Sequence, residues 1–336
     1  MIIKNDTRTI PDKAFTHGAI FHADDVFSAA LLKTLNPNIE IERGFKVPQN
    51  YDGLVFDIGF GEFDHHQKDN DVRENGVPYA SFGKLWQAFG HRLVGQEGVE
   101  NIDKNLIQAM DLTDNTAVSN PLSMVILSQN PSWVDDSPDY DACFNKAVDM
   151  AQSILASEIK KERDLELAKN LAKTALEKAP FKELIIMKKY APITPYLSDT
   201  KAHFVIFPSS RGGYEVKAVP LPGTENTPKK PMPKSWAGKE EGLSEISNID
   251  SLRFCHSGGW MCAANTLEGA VKAALLAYTG QEKWTREMDQ ALDYVMPKDT
   301  REIDGVDMKR NDSGAKDRDD LTTNDKFNKW ICPSFA

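Results

Sequence analysis

The sequence predicts an α/β protein in which an N-terminal parallel-sheet domain is joined by a long helix to a smaller α/β C-terminal domain. Three observations support this architecture. Short apolar runs alternate with helical patterns up to residue 89, as in a parallel sheet flanked by helices. A helical pattern then fills most of 139–178, and new apolar runs follow it. At 336 residues the chain also exceeds one ordinary core, so two domains are expected.

The first elements are bounded by turn signals. Residues 13–16 are extended and lead into a polar turn, after which apolar residues recur at helical spacing from Val26 to Leu35. Asn36-Pro37-Asn38 ends this helix, and the alternation in Ile39-Glu40-Ile41 predicts a second strand. The run Leu54-Val55-Phe56 predicts a third strand, which stops at an aspartate. The next helix is marked by Phe82, Leu85, Trp86 and Phe89.

The long helix predicted for 139–178 sets the domain boundaries. About 40 helical residues span about 60 Å, which suits a connection between two lobes, and Pro180 ends it. Its apolar stripe consists of Phe144, Val148, Ala151, Leu155 and Ile159. The predicted segments are an N-terminal domain over 1–135, a connecting helix over 136–180, a C-terminal domain over 181–280 and an extension over 281–336.

The C-terminal domain contains three apolar runs that predict strands, followed by one helical pattern. The strands are 184–187, 204–207 and 216–219, and the helix is 269–278. Residues 304–326 carry almost no large apolar side chains and are expected to be a solvated tail or loop.

Composition limits the functional classes. The net charge of −10 argues against a protein that coats nucleic acid, although cations do gather at Arg211, Lys217, Lys229, Lys230, Lys234 and Arg253. The sequence has no apolar run long enough to span a membrane, and it lacks the pattern of a secretory signal. These two observations predict a cytoplasmic protein without a membrane partner. Four cysteines without CxxC spacing predict free thiols rather than disulfides or a structural zinc site.

Histidine and aspartate are concentrated in three predicted turns. The segment from His17 to Asp25 places two imidazoles and two carboxylates between a strand and a helix. Asp57 follows an apolar strand, and Asp64-His65-His66 comes seven residues later. A lone His-Asp pair is usually ordinary surface chemistry, but three such clusters, each at a strand end, favour a metal site. His91 and His203 stand alone and are interpreted as structural or solvent-facing.

Imidazole and carboxylate ligands together suit Mn, Zn or Fe better than Ca or Mg alone. An aspartate at the carboxyl end of a parallel strand lies where α/β sheets bind ligands, and its two oxygens can bridge two ions. Such a pair can activate water and stabilise an in-line phosphoryl displacement. The spacing differs from the compact His-x-His-x-Asp-His run of metallo-β-lactamase-type hydrolases, and Walker, dinucleotide-binding and G-x-S-x-G motifs are absent from the sequence.

These motifs resemble the DHH phosphoesterase superfamily and, within it, the melanocyte proliferating gene family, also labelled metal-dependent protein hydrolases. The resemblance covers about residues 13 to 280. In the first half the matching motifs are Thr16-His17-x4-His22-Ala23-Asp24, Val55-Phe56-Asp57-Ile58-Gly59, Phe63-Asp64-His65-His66-Gln67, Ala80-Ser81-x-Gly83 and Asp111-x-x-Asp114-Asn115. In the second half they are Val216-x-Ala218-Val219-Pro220, Met232-Pro233-x-x-Trp236-Ala237-Gly238 and Phe254-x-His256-x-Gly258-x-Trp260.

The resemblance implies a DHH-type catalytic domain with two divalent metal ions, for which we expect Mn²⁺. It assigns His66 to the scissile phosphate and Asp64 to orienting the loop. The implied metal ligands are His17, His22, Asp24, Asp57 as a bridge, His65 and either Asp114 or Asp111. The last two residues share a helix face, so the choice stays open, with Asp114 favoured because Asn115 follows it. Two departures from the pattern are His22, where most superfamily members have aspartate, and Thr116 after Asn115 in place of glycine.

The resemblance also implies that the C-terminal lobe binds substrate. The expected phosphate or nucleotide contacts are His256, Ser257, Gly258, Gly259 and Arg211, although ordinary turns explain these residues equally well. The leading hypothesis is a 3′-5′ exonuclease acting on single-stranded RNA or short oligonucleotides. The alternatives are hydrolysis of a small phosphoanhydride or cyclic dinucleotide, and an inactive metal-binding interaction protein. The oligomeric state is open, with a homodimer as one option.

Overall fold

The computed structural model describes residue 4 and residues 6–68, 71–225 and 227–296. It confirms the predicted α/β class, with a parallel sheet near the N-terminus, a long helix and a second, mixed sheet. The chain divides into two compact units, and the boundary falls between Glu166 and Leu167, inside the long helix. Residues 304–326 and Cys332 lie outside the described residues.

The first unit contains a three-stranded parallel sheet with strand order β2-β1-β3. The elements of this unit are, in chain order, β1 (Lys13–His17), α1 (Ala23–Leu35), β2 (Glu40–Gly44), β3 (Leu54–Val55), α2 (Ser81–Phe89), α3 (Gln96–Ile102), α4 (Gln108–Asn115), α5 (Pro121–Leu127) and the first part of α6 (Tyr140–Lys178). The two segments predicted as the first strands are confirmed as β1 and β2, and the predicted end of α1 at Asn36 is its observed C-cap.

Most of the apolar side chains in the core of the first unit come from α1, α2 and α6. Phe27, Phe82 and Trp86 are fully buried, and Phe27 packs on Phe82 with ring centroids 5.4 Å apart. All five residues of the stripe predicted on the long helix are also in this core. The core therefore holds the N-terminus of α1 and that of α2 against the sheet.

The buried apolar side chains of helix α6 differ between its N-terminal and C-terminal parts. Beyond the unit boundary its buried residues are Ala168, Ala172 and Ala175, which pack in a core of the second unit. The helix ends at Lys178, two residues before Pro180, as predicted.

The second unit contains a five-stranded sheet with strand order β4-β5-β6-β8-β7, in which only β4 and β5 are parallel. Its elements are β4 (Leu184–Ile186), β5 (Phe204–Pro208), β6 (Tyr214–Ala218), α7 (Leu243–Ser247), β7 (Leu252–Cys255), β8 (Met261–Ala264), α8 (Leu267–Thr279) and α9 (Asp289–Val295). The three predicted strands and the predicted helix are present, whereas β7 and β8 were not predicted. Among the described helices, none has the length and hydropathy needed to cross a membrane.

Candidate metal centre

Most of the residues singled out in the first half of the sequence converge on one cavity of the first unit. The carboxyl ends of the parallel strands β1 and β3 lie at the same edge of the sheet, where α/β proteins bind ligands. A cavity of about 840 Å³ opens there, within the size range of small-molecule sites. The predicted site residues that line it are His17, His22, Asp24, Asp57, Asp64, His65, His66 and Asp114.

Asp57 is the buried centre of this cluster. It follows β3 in a left-handed conformation with φ +55, and its backbone N–H donates to the carbonyl oxygen of Phe63 at 3.1 Å. This conformation is uncommon for a residue with a side chain and is typical of functional turns. The left-handed backbone ends the strand. The two carboxylate oxygens of Asp57 contact different residues. Oδ2 lies 3.2 Å from Nε2 of His17, and Oδ1 lies 3.3 Å from Nδ1 of His65.

His17 presents one ring nitrogen to two carboxylates. Its Nδ1 lies 3.1 Å from the carbonyl oxygen of Gly18, so Nε2 is the atom that faces the cluster. Oδ2 of Asp25 also lies 3.2 Å from this Nε2. The other oxygen of Asp25 accepts a hydrogen bond from the backbone N–H of His22 at 2.8 Å, which fixes the first turn of α1. Sequence reasoning did not assign Asp25 to the site, although its place beside Asp24 was a signal.

His65 connects Asp57 to a second group of ligand-type side chains. Its Nε2 lies 2.9 Å from Oδ2 of Asp114, and its Nδ1 lies 3.9 Å from Oδ2 of Asp24. His22 is more exposed, and its Nδ1 lies 3.9 Å from Oδ1 of Asp114. Of the two aspartates of the α4 motif, Asp114 is therefore the one that lines the cavity.

Asp24 is held at the N-terminus of α2. Its two oxygens accept hydrogen bonds from the backbone N–H groups of Ser81 at 3.1 Å and Phe82 at 2.8 Å. The free N–H groups and the positive end of the helix dipole stabilise a carboxylate at this position. The helix therefore fixes the orientation of a fully buried aspartate.

Asp111, the alternative to Asp114, is engaged elsewhere. It is fully buried, and its Oδ2 accepts a hydrogen bond from Nη2 of Arg73 at 2.7 Å. The same guanidinium forms an ion pair with Asp103 at 2.6 Å. Gly83 is required here, because a Cβ atom on it would lie 2.0 Å from Oδ2 of Asp111. The role of Arg73 was not predicted, since one arginine in a polar stretch carries no periodic signal.

Asp64 orients the loop that carries the two histidines. Its Oδ1 lies 2.6 Å from Nδ1 of His66, and its Oδ2 accepts a hydrogen bond from the backbone N–H of Phe60 at 2.6 Å. The rings of His65 and His66 are stacked with centroids 4.2 Å apart. Asp64 and one face of His65 therefore both restrict the half-exposed His66 ring.

The cluster shows the pKa shifts expected when charges are crowded in a buried site. Burial lowers the pKa of His17, but the carboxylates of Asp25 and Asp57 outweigh it and raise that pKa to about 11. Burial also lowers the pKa of His65, but Asp114 and Asp57 outweigh this effect and raise that pKa to about 10. Burial, followed by the charge of Asp57, raises the pKa of Asp24 well above its usual range.

The residues fit divalent cations. Three side-chain atoms of the cluster are buried in ion-pair contacts of 3.2–3.3 Å without a well-aligned hydrogen bond, namely Oδ2 of Asp25, Oδ1 of Asp57 and Nδ1 of His65. Buried polar atoms in this situation are costly unless something else binds them. Metal–ligand distances of about 2.1 Å space neighbouring ligands about 3 Å apart, close to the 3.2 Å observed around His17. The groups able to hold an ion are His17-Asp25-Asp57, Asp24-His65-Asp114 and Asp57-Asp64-His65-His66.

The predicted substrate contacts of the C-terminal domain lie in two hairpin turns of the second unit. Arg211 is in the turn between β5 and β6, where Ser209 and Gly213 pair by a backbone hydrogen bond of 2.9 Å. His256, Ser257, Gly258 and Gly259 connect β7 to β8, and Nδ1 of His256 accepts a hydrogen bond from the N–H of Gly258 at 3.0 Å.

Three of the cations noted in the sequence, Lys229, Lys230 and Arg253, donate to backbone carbonyl oxygens. Nζ of Lys229 donates to three backbone carbonyl oxygens at 2.7–3.1 Å, those of Leu197, Thr200 and Ala202. Nζ of Lys230 donates to the carbonyl oxygen of Tyr278. These contacts stabilise the fold of the second unit, so a polyanion would have to compete with them.

Comparison with known proteins gives a consistent family. Residues 13–277 match the family model MYG1_exonuc, described as "Uncharacterised protein family (UPF0160)". The MYG1 protein of Schizosaccharomyces pombe is 25% identical over 312 residues, covering 78% of this chain and 96% of the relative. The MYG1 exonuclease of Homo sapiens is 26% identical over 321 residues, covering 79% and 85%. The MYG1 exonuclease of Rattus norvegicus is 25% identical over 325 residues, covering 79% and 84%.

Proposed function

The chain belongs to the UPF0160 family of the MYG1_exonuc model, and from that premise we propose that it is a metal-dependent 3′-5′ exonuclease acting on single-stranded RNA or short oligonucleotides. The family assignment confirms the resemblance to the melanocyte proliferating gene family seen in the motifs. The exonuclease names of the mammalian relatives support a nuclease-like hydrolase. The RNA substrate, the polarity and the cytoplasmic location are parts of this proposal.

The single observation that carries the proposal is the position of Asp57 between two groups of ligand atoms. Its Oδ2 faces His17 and its Oδ1 faces His65, at 3.2 and 3.3 Å. A carboxylate in this position can bridge two divalent ions, and the mixed nitrogen and oxygen ligands favour Mn²⁺, Fe²⁺ or Zn²⁺. We propose Mn²⁺ as the resident metal.

In the proposed site, His17, Asp25 and Asp57 would hold one ion. Asp24, Asp57, His65 and Asp114 would hold the other, with His22 beside Asp114 at the exposed rim. We assign this ligand role to Asp114 and a structural role to Asp111, because Asp111 is buried against Arg73. When bound, such a pair of ions supplies an activated water nucleophile and neutralises charge on the phosphate.

The protein residues then position the phosphate and offset its developing charge. Asp64 stays ionised, because burial raises its pKa less than the hydrogen bonds from His66 and from the N–H of Phe60 lower it. An ionised Asp64 contacts Nδ1 of His66 and fixes the orientation of the ring. In this orientation Nε2 of His66 would contact an oxygen of the scissile phosphate. His66 and Asp64 thus act as a pair. His256, Ser257, Gly258, Gly259 and Arg211 remain proposed substrate contacts.

Hydrolysis of a small phosphoanhydride or cyclic dinucleotide is the second candidate. One observation favours it: among the described residues that line the cavity there is neither lysine nor arginine. A long nucleic-acid backbone would be expected to need such cations along its path. An inactive metal-binding interaction protein fits the intact set of ligand-type residues less well.

The test compares substrates on the purified full-length chain. With Mn²⁺, 5′-labelled single-stranded RNA should give a ladder of progressively shorter labelled products, and 3′-phosphorothioate ends should stop it. Orthophosphate from pyrophosphate, or cleavage of a cyclic dinucleotide, with intact RNA would support the second candidate and contradict the exonuclease. His66→Ala is the matched inactive control, and Phe45→Ala is a control surface change, since Phe45 is outside the cavity.

A further inference from the structure

Phe60 is an exposed aromatic residue that the proposed hydrolysis leaves without a role. It lines the cavity of the candidate metal centre and is 70% exposed. A large apolar side chain in this setting gains little from burial within its own chain. Its position therefore suggests a contact with something that enters the cavity.

The backbone of Phe60 is held in an uncommon conformation. Its φ is +58, in the left-handed region, which is unfavourable for a bulky side chain. The hydrogen bond from its N–H to Oδ2 of Asp64 helps to maintain this conformation. Because Oδ1 of the same carboxylate holds His66, one aspartate fixes both Phe60 and the proposed phosphate contact. Strain of this kind is found mainly where a side chain must be presented at a functional site.

The rest of the cavity away from the carboxylates is mostly apolar. Its other apolar lining residues are Ile20, Ala23, Ile58, Met110, Met124 and Leu127. Of these, Ile20 and Met124 are about half exposed. Thr113, Asn115 and Ser123 also line the cavity, but its described lining residues include neither lysine nor arginine, so this wall can bind a flat, weakly polar group and offers no ammonium or guanidinium group to a second phosphate.

We propose that Phe60 forms a nucleobase subsite, in which its ring stacks on the base of the nucleotide whose phosphate lies at the metal centre. The subsite rests on the proposed function, because it assumes a nucleotide substrate. Every nucleobase has a π-face, so stacking tolerates any base sequence and suits an enzyme that removes successive nucleotides. A cavity of about 840 Å³ has room for a nucleotide.

The substitutions distinguish the contribution of the Phe60 ring from that of the strained backbone. Phe60→Ala removes the ring but keeps a Cβ atom, and so keeps the same left-handed strain. Phe60→Trp keeps an aromatic face. Phe45→Ala is the matched control, because Phe45 is 85% exposed and does not line the cavity.

Two measurements on the full-length protein test the subsite. The first is binding of 2-aminopurine riboside 5′-monophosphate, followed by quenching of its fluorescence, with and without Mn²⁺. The second is the KM and kcat for Mn²⁺-dependent cleavage of a short RNA that ends either in a normal nucleotide or in an abasic one. Circular dichroism of each variant checks the fold.

Phe60→Ala is expected to weaken 2-aminopurine nucleotide binding roughly 5- to 150-fold, with Phe60→Trp and Phe45→Ala close to the wild type. It should raise KM for the normal RNA and leave KM for the abasic RNA unchanged. The subsite is wrong if Phe60→Ala binds and cleaves like Phe45→Ala, or if it impairs the abasic substrate equally.

The outcomes distinguish the subsite from the proposed function. If the wild type quenches 2-aminopurine through Phe60 but cleaves no RNA, the exonuclease proposal fails and the subsite stands. If the wild type cleaves RNA and Phe60→Ala has no effect, the subsite fails and the exonuclease proposal stands.

Discussion

Oδ2 of Asp57 lies 3.2 Å from Nε2 of His17, at the carboxyl ends of two adjacent parallel strands. The contact exists because β3 ends after two residues and Asp57 takes a left-handed conformation directly beyond it. A carboxylate placed in this way can bridge two cations, which is the basis of the proposed hydrolysis.

Substitutions of the two adjacent histidines are expected to distinguish metal binding from turnover. His65→Ala should lower the bound metal, because His65 contacts both Asp57 and Asp114. His66→Ala should keep the metal and lower kcat about 10²–10³-fold, the usual cost of losing one donor to developing negative charge. Metal content by mass spectrometry, measured beside turnover, checks both. Loss of metal in His66→Ala would contradict the assignment.

Metal binding is expected to release protons. In the metal-free protein the pKa of His17 is raised to about 11 and that of His65 to about 10, so both are protonated at pH 7. Only the neutral imidazole binds a metal, and the raised pKa of the Asp24 carboxyl acts in the same direction, so loading both ions should release at least two protons, and affinity should fall as the pH falls. Calorimetry in two buffers of different ionisation enthalpy measures the release. Equal heats in both buffers would show that no protons leave.

Substitutions of Asp114 and Asp111 are expected to affect different properties, metal binding for Asp114 and stability for Asp111. Asp114→Ala should weaken Mn²⁺ binding more than about 100-fold, since even outer partners of metal ligands contribute 10- to 100-fold. Asp111→Asn should keep Mn²⁺ binding within about tenfold and mainly change the free energy of unfolding, because Asp111 pairs with Arg73. Titration with Mn²⁺ and urea unfolding of the two variants test this. The opposite pattern would return the ligand role to Asp111.

Gly83→Ala is expected to destabilise the first unit by about 2–4 kcal/mol. The new Cβ would lie 2.0 Å from Oδ2 of Asp111 and 2.8 Å from Nη2 of Arg73, so the buried ion pair must move. Gly61→Ala is the matched control, because its Cβ would have nothing within 4 Å. Urea unfolding compares the two. Equal stability of both variants would show that the ion pair has room to adjust.

Local sequence patterns were sufficient to predict the turns that carry the clustered histidines and aspartates. His17, Asp57 and His65 each follow a short apolar run or lie in a compact motif, and parallel strands bring such turns to one edge. Helices α1, α2, α6 and α8 were predicted because their apolar residues recur with a period of 3.6, whereas the short helices α3, α5, α7 and α9 were not predicted. The strands β7 and β8 were not predicted, because each has only four residues and their connection looks like an isolated turn.

The remaining features of the site depend on contacts between distant residues. Asp111 and Asp114 share a helix face, and only the buried Arg73, far away in sequence, separates their roles. Asp25 lies in the first turn of α1, where an acidic residue is usual for helix capping, so its contact with His17 had no distinctive pattern. The left-handed conformation of Phe60 likewise follows from its hydrogen bond to Asp64, which spacing alone does not reveal.

The number of divalent ions bound per chain, with and without the carboxylate of Asp57, tests the central claim most directly. Native mass spectrometry of the full-length protein with Mn²⁺ should find two ions per chain, and Asp57→Ala should bind them far more weakly while keeping its fold. A wild type that binds no ion, or an Asp57→Ala variant that retains both, would contradict a bridged pair of metals in this protein.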